Sequence, residues 1–151
     1  MWWVVDIFSP RYVHCDISAI TPDGEHLIIA DGLDKGVVIE TAYRPDLRMP
    51  SVSFKLPVSD VVFWRVARPY LGEKYSWSAA EKAGIKFLGD DENKPGTICS
   101  ENVAEIIIDL GKLHSELQEL SDDLVYIKPW GKTPREIYDV LAQHLESVAS
   151  R

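Results

Sequence analysis

The spacing of the hydrophobic residues changes along this chain, and that change restricts the possible folds more than any other feature. Residues 11–20 alternate with a period of two, as in a strand that buries one face. From Cys99 to Leu110 the apolar residues instead recur every three or four positions, which predicts an amphipathic helix. The chain therefore combines strands in its N-terminal part with helices in its C-terminal part, which is typical of an α+β fold.

Further short segments extend this prediction. Apolar or alternating stretches predict strands at residues 2–5, 26–31, 37–40 and 51–56, and a strand or the start of a longer element at residues 60–67. A helix is compatible with residues 76–84, and Gly111 is a plausible end for the helix that starts at Cys99. Thr133-Pro134-Arg135-Glu136 has the capping-box pattern and predicts a terminal helix whose inner stripe includes Leu145 and Val148. We expect an antiparallel sheet with packed helices, in one domain spanning residues 1–151.

Charge and the N-terminal sequence restrict the function. The formal net charge is -8, which argues against a protein that binds nucleic acid or an anionic membrane. The first residues lack the basic segment and long apolar run of a signal peptide, and no stretch reaches the length of a membrane span. We therefore expect a protein that is cytoplasmic as synthesised, which leaves later delivery to a cell envelope or a virion open.

Cysteine is the residue type most suggestive of chemistry. The chain has two cysteines, Cys15 and Cys99, and free thiols are the better interpretation. Neither cysteine has the paired ligands of a zinc site, so we expect no metal and no cofactor. Cys99 opens the predicted helix, where the partial positive charge of the helix N-terminus lowers the pKa of a thiol. The alternative is a buried structural cysteine, and position alone does not decide between them.

His14 is the residue that could activate Cys99. A cysteine at a helix start and a histidine on a strand are the two parts of a dyad in which imidazole takes the thiol proton. Taken alone, His14 is better explained as a surface residue on the polar face of its strand, and only the combination with Cys99 favours a base. Cys15 is the next residue along that strand, so we expect it to point to the other face and to take no part in the chemistry.

A histidine base works best when an acceptor holds its second ring nitrogen. If residues 21–24 form a four-residue hairpin loop, His14 lies directly opposite Asp31. A two-residue turn at Asp23-Gly24 sets Asp31 opposite Asp16 instead, still on the face of His14. A three-residue loop would turn Asp31 away. Asp31 is therefore our prediction for the third catalytic residue, with a backbone carbonyl or water as the alternative.

Several motifs together resemble circularly permuted NlpC-type hydrolases, which are papain-like enzymes. The similar segments are Cys99-Ser100-Glu101-Asn102-Val103, Gly72-x-x-Tyr75-x-Trp77, Asp60 to Arg65 as a preceding strand, and the hairpin His14-Cys15-Asp16-Ile17, Leu27 to Ala30 and Gly36-Val37. The order of histidine before cysteine is that of the permuted members. The sequence departs from the family pattern at Asp16, where a small residue is expected, and at Ile29, where a polar third residue is expected.

The resemblance implies a papain-like core and attack by a thiol on an amide or ester carbonyl through an acyl-enzyme. It implies that Tyr75 and Trp77 line the substrate site, to which we also assign Asp16, since Asp16 shares the face of His14 but is a less favourable partner for it than Asp31. The expected function is a cysteine amidase or endopeptidase acting on a peptide or acyl substrate, with bacterial cell-wall peptides as a candidate. A thiol-dependent acyl-transferase or esterase, or an inactive binding member of the same fold, is the alternative.

Overall fold

We examined a computed structural model of the chain. The structure describes residues 1–8, 14–32, 36–42, 52–74, 99–129 and 132–148. The helix predicted at residues 76–84 lies outside these residues, as do Tyr75 and Trp77.

A six-stranded antiparallel sheet contains most of the predicted strands. Its strands, in chain order, are β1 (Trp3–Phe8), β2 (His14–Ile20), β3 (His26–Gly32), β4 (Gly36–Ala42), β5 (Val52–Lys55) and β6 (Ser147–Val148). They are arranged in the order β4-β3-β2-β1-β5-β6, and each neighbouring pair is antiparallel. The strands predicted around residues 2–5, 11–20, 26–31, 37–40 and 51–56 all correspond to strands of this sheet. The central position of β1 and β2 makes them the strands most fully enclosed by the rest of the molecule.

Four α-helices are described: α1 (Asp60–Ala67), α2 (Cys99–Leu113), α3 (Gln118–Ile127) and α4 (Pro134–His144). A short 3-10 segment at Arg68–Tyr70 follows α1, and a second one at Ser115–Leu117 precedes α3. The mixture of an antiparallel sheet and helices agrees with the predicted α+β class. Among the described residues, no helix combines the length and the apolar composition needed to cross a membrane.

The prediction of a strand at residues 60–67 was wrong, because this segment is helix α1. Ser59 caps the helix, and its hydroxyl accepts a hydrogen bond from the Val62 amide at 3.4 Å. Asp60 in the first turn accepts a hydrogen bond from the Trp3 indole at 2.9 Å. The ring of Trp3 also stacks on Phe63, with 3.6 Å between ring centroids. Capping and packing against β1 thus outweigh the strand preference of a valine-rich segment.

The capping box before the terminal helix is confirmed. Thr133 accepts from the Glu136 amide at 3.4 Å, and the Glu136 carboxylate accepts from the Thr133 amide at 2.8 Å. The helix is shorter than predicted, since it ends at His144 and Val148 pairs with β5 as part of β6. The residues after the helix therefore extend the sheet rather than the helix.

The prediction that Gly111 ends its helix was also wrong. Helix α2 continues to Leu113, and α3, which we did not predict, packs against it. A Cβ atom added at Gly111 would lie 2.3 Å from Cβ of Ser121. Glycine is therefore required here by the close approach of the two helices, and not by a helix end.

The apolar face of the sheet forms the core with α2 and the other helices. Trp3, Val5 and Ile7 of β1 are fully buried, and Ile17 of β2 lies with them. The inner side of α2 supplies further buried residues: Val103, Ile106, Ile107 and Leu110. This packing places the first residue of α2, Cys99, beside β2.

Candidate active site

Cys99 is the first residue of α2 and is partly exposed. It packs against the edge of the apolar core, so its sulfur is held by neighbouring groups while part of the residue still reaches solvent. The amide groups of the first helical turn have no partner within the helix, and they give this end of α2 a partial positive charge. A thiol in this position combines accessibility with an environment that favours the thiolate.

His14 is the first residue of β2, and 37% of its side chain is exposed. Its imidazole lies close enough to the thiol of Cys99 for each group to shift the pKa of the other. The sheet and the helix therefore bring together the two residues that the sequence singled out, although 84 positions separate Cys99 from His14 in the chain.

Burial opposes a positive charge on His14, but hydrogen bonds to Asp16 and Cys99 outweigh it and raise the pKa of His14 to about 10. A hydrogen bond from Cys15 is the largest influence on Cys99 and lowers the pKa of its thiol. Burial opposes that effect, and the nearby His14 lowers the pKa further, to well below its usual range. Both shifts favour the thiolate form of Cys99 and the imidazolium form of His14.

Asp16 is the carboxylate that contacts His14. The distance from His14 Nε2 to Asp16 Oδ2 is 3.5 Å, and the Asp16 side chain is 4% exposed. The two residues are separated by one position on β2, so their side chains project from the same face of the strand. We assigned Asp16 to the substrate site from the sequence, but its contact is with the imidazole.

The strand-register argument for Asp31 was wrong. Ile20 pairs with His26, which leaves a five-residue loop from Thr21 to Glu25 instead of the two-residue or four-residue loop on which the prediction of Asp31 depended. An odd number of loop residues reverses which residues of β3 share a face with His14. Ile17 pairs with Ile29, so the same register sets position 31 of β3 against Cys15 and not against His14.

Cys15 is the residue that the sequence interpretation missed. As expected from strand alternation, it packs in the apolar core, where it is 1% exposed. The neighbouring thiol of Cys99, together with burial, raises the pKa of Cys15 well above its usual range. Because α2 packs on the apolar face of β2, Cys99 meets Cys15 from that side.

A second group of buried polar residues continues from Asp16 across the sheet. Asp6 of β1 lies directly opposite Asp16 and is 2% exposed. Its carboxylate accepts hydrogen bonds from the hydroxyl groups of Ser18 and Ser53, each at 2.5 Å. These short, charge-assisted bonds hold Asp6 in place behind the contact between His14 and Asp16. The signal in the sequence was a single acidic residue inside the apolar segment Trp3–Phe8.

The remaining predictions on the site are limited by the part of the chain that is described. Tyr75 and Trp77, which the family resemblance placed in the substrate site, lie outside it. Within the described ranges, no group of three or more histidine, cysteine, aspartate and glutamate side chains is arranged to hold a metal ion.

No protein-family model, curated protein or solved structure matches this chain. The site must therefore be interpreted from its own geometry. That geometry comprises a cysteine at a helix N-terminus, a histidine that lowers the pKa of its thiol, and a buried carboxylate 3.5 Å from the imidazole. Such a group can attack an electrophilic carbon and then supply a proton to the group that leaves.

Proposed function

We propose that this chain is a papain-like cysteine hydrolase of the permuted NlpC type, in which Cys99 is the nucleophile and His14 is the acid–base residue. The observation that carries the proposal is that Cys99 and His14 shift the pKa of each other, while the Asp16 carboxylate lies 3.5 Å from Nε2 of the imidazole. Asp16 takes the orienting role that we first gave to Asp31. An amide is the preferred substrate, and a bacterial cell-wall peptide is a candidate.

In the first half of the reaction, the Cys99 thiolate attacks the carbonyl carbon and forms a tetrahedral intermediate. Backbone amides in the first turn of α2 are suited to stabilise the oxyanion. The carbon–nitrogen bond then breaks, and the amine leaves with the proton held by His14. The product of this half is a thioester on Cys99.

In the second half, neutral His14 takes a proton from water as the water attacks the thioester. The carbon–sulfur bond breaks, which releases the acid and restores the thiolate and imidazolium. Asp16 holds the ring orientation in both halves and stabilises the imidazolium each time it forms. An acyl-transferase or esterase would use the same acyl-enzyme with another acceptor or leaving group.

The first test measures the rate at which iodoacetamide alkylates Cys99 in the full chain, as a function of pH, with the site identified by peptide mass spectrometry. An unperturbed thiol reacts slowly below its pKa of about 8.5. Because the pKa of Cys99 is lowered, we expect fast alkylation to persist well below that pH. The imidazolium should be lost only as the pH rises through about 10. His14→Gln should raise the pKa of Cys99 and so move its alkylation profile part of the way towards that of an ordinary thiol, because Cys15 also lowers this pKa.

The second test measures hydrolysis of a panel of amide and ester substrates that includes cell-wall peptides. Removal of the nucleophile in Cys99→Ala should lower kcat by about 10⁴–10⁶-fold. Circular dichroism of the variant provides the control for folding. An alkylation profile typical of an ordinary thiol, or turnover that survives Cys99→Ala, would contradict the proposal. A reactive thiol with no hydrolysis of any substrate would favour the inactive binding member.

A further inference from the structure

Strand β1 carries a second buried carboxylate directly opposite Asp16. Asp6 pairs with Asp16 in the antiparallel register of β1 and β2, so the two side chains project from the same face of the sheet. Phe8 pairs with His14 in the same register, which makes Asp6 the diagonal neighbour of His14. Side chains in this diagonal relation start about 7–8 Å apart. Asp6 therefore shares the face of His14 and lies within the range at which its charge acts on the imidazole.

Two serine hydroxyl groups hold the Asp6 carboxylate in one orientation. Ser18 donates to Oδ2 and Ser53 donates to Oδ1, each at 2.5 Å. Hydroxyl groups that donate to an ionised oxygen lie about 2.5–2.7 Å from it, and an ionised carboxylate accepts at both of its oxygens. Asp6 is only 2% exposed, so water and salt screen its charge poorly. The geometry is thus that of a fixed and buried negative charge.

We propose that Asp6 is a positioning residue of the candidate active site, whose fixed negative charge keeps the Asp16 carboxylate turned towards His14 and stabilises the imidazolium. Like charges directly opposite each other on neighbouring strands repel. Because two hydroxyl groups fix Asp6, the repulsion acts on Asp16, whose Oδ2 lies 3.5 Å from Nε2 of His14. The inference rests on the proposed function, in which His14 is the acid–base residue.

The charges that act on His14 come from β2, β1 and α2. Asp16 lies on the same strand as His14, Asp6 lies diagonally across on β1, and Cys99 is the first residue of α2. Negative charge on each of them favours the protonated ring, and the pKa of His14 is raised to about 10 although the ring is largely buried. Removing the charge of Asp6 should lower this pKa, but by less than removing the nearer charge of Asp16.

The test follows the titration of His14 by NMR in the full chain with isotope-labelled histidine. The His14 signal is identified as the one that His14→Gln removes. Asp6→Asn preserves the shape of the side chain and removes its charge, so we expect the midpoint of His14 to fall by about one pH unit. The upper limb of the pH profile of kcat/KM, which requires the imidazolium, should move down equally. A purely structural role of Asp6 would lower stability and leave both midpoints in place.

Ser53→Ala is the matched control, because it removes one hydrogen bond to Asp6 and keeps the charge. We expect it to lower the free energy of unfolding and to move the His14 midpoint much less than Asp6→Asn does. Asp6→Ser is a second uncharged variant, and thermal denaturation shows which variants are folded. An unchanged His14 midpoint in a folded, uncharged variant at position 6 would overturn the inference. A shift of equal size in Ser53→Ala would also overturn it.

Hydrolysis measured on the same samples separates this inference from the proposed function. If the His14 midpoint falls in Asp6→Asn while the wild type hydrolyses no substrate, the proposed function fails and the coupling between Asp6 and His14 stands. If hydrolysis requires Cys99 while the His14 midpoint stays unchanged in Asp6→Asn, the inference on Asp6 fails and the proposed function stands.

Discussion

The two faces of the central strands are both buried, yet they contain different chemistry. One face carries Ile7, Cys15 and Ile17 and packs as an apolar core against α2. The other carries Asp6, Asp16 and Ser18, which are at most 4% exposed. On the first face any apolar side chain that fits contributes to stability, because the hydrophobic effect does not require a particular orientation of the groups. On the second face each group depends on a particular partner, because a buried polar atom without one is costly.

This difference shows how the fold serves the candidate site. The apolar face fixes α2 against β2 and so determines where Cys99 lies. The polar face fixes the position and charge of His14 through Asp16. The four predictions below each change one face and leave the other intact, from the largest expected effect to the smallest.

The first prediction concerns Asp16→Asn, which preserves the shape of the side chain and removes its charge. We expect kcat to fall by about 10²–10⁴-fold, because the imidazolium of His14 loses its negative partner. The raised pKa of His14 should also fall, so the imidazolium should be lost at a lower pH than in the wild type. The measurements are kcat, KM and the pH profile of Cys99 alkylation. Unchanged kcat together with an unchanged alkylation profile would show that Asp16 does not orient the base.

The second prediction concerns Ile17→Ala on the apolar face, where the side chain is fully buried. Loss of buried methyl groups and the resulting cavity should lower the free energy of unfolding by about 2–5 kcal/mol. Urea denaturation followed by circular dichroism measures the change. The alkylation profile of Cys99 should keep its shape in the folded variant. A stability loss well below this range would mean that the contact between α2 and β2 is looser than the structure shows.

The third prediction concerns Ser18→Ala, a matched change at the next residue, which is equally buried but lies on the polar face. The hydroxyl donates to Asp6, so its removal should cost about 1.5–3 kcal/mol, as for a hydrogen bond to a charged group. Ser53→Ala should behave similarly, since Ser53 donates to the other oxygen of that carboxylate. We expect the double variant to lose more than the sum of the single losses, because the two hydroxyls share one acceptor. Strict additivity in urea denaturation would contradict the idea of a coupled polar group.

The fourth prediction concerns Gly111→Ala, which tests how closely α3 holds α2 behind the apolar face. Alanine is the better helix former by about 1 kcal/mol, but the clash with Ser121 should outweigh this gain and leave a net loss of about 1 kcal/mol. Combining Gly111→Ala with Ser121→Gly should recover part of the loss, since it removes the nearest atoms that the new methyl group meets. A variant more stable than the wild type would show that the two helices can separate at no cost.

The sequence alone predicted those features that depend on local pattern. Alternation identified β2 together with its apolar and polar faces, and helical spacing identified α2 with Cys99 at its start. The capping box at Thr133 located the start of α4, because all of its hydrogen bonds join residues within one turn. Cys99 and His14 could also be predicted as candidate catalytic residues, because a cysteine at a helix start and a histidine on a strand are the two parts of a catalytic dyad.

Tertiary structure decided the features that depend on partners distant in the chain. The segment from Asp60 to Ala67 is a helix because Trp3 binds and stacks on it, and no local pattern shows that contact. The third residue of the site depended on whether the hairpin loop has an even or an odd number of residues, and one residue reverses every pairing beyond it. The influence of Cys15 and Cys99 on each other's pKa depends on the packing of α2 on β2. Periodicity in the sequence determines on which face of its strand or helix a residue lies, whereas packing between elements determines which residues that face contacts.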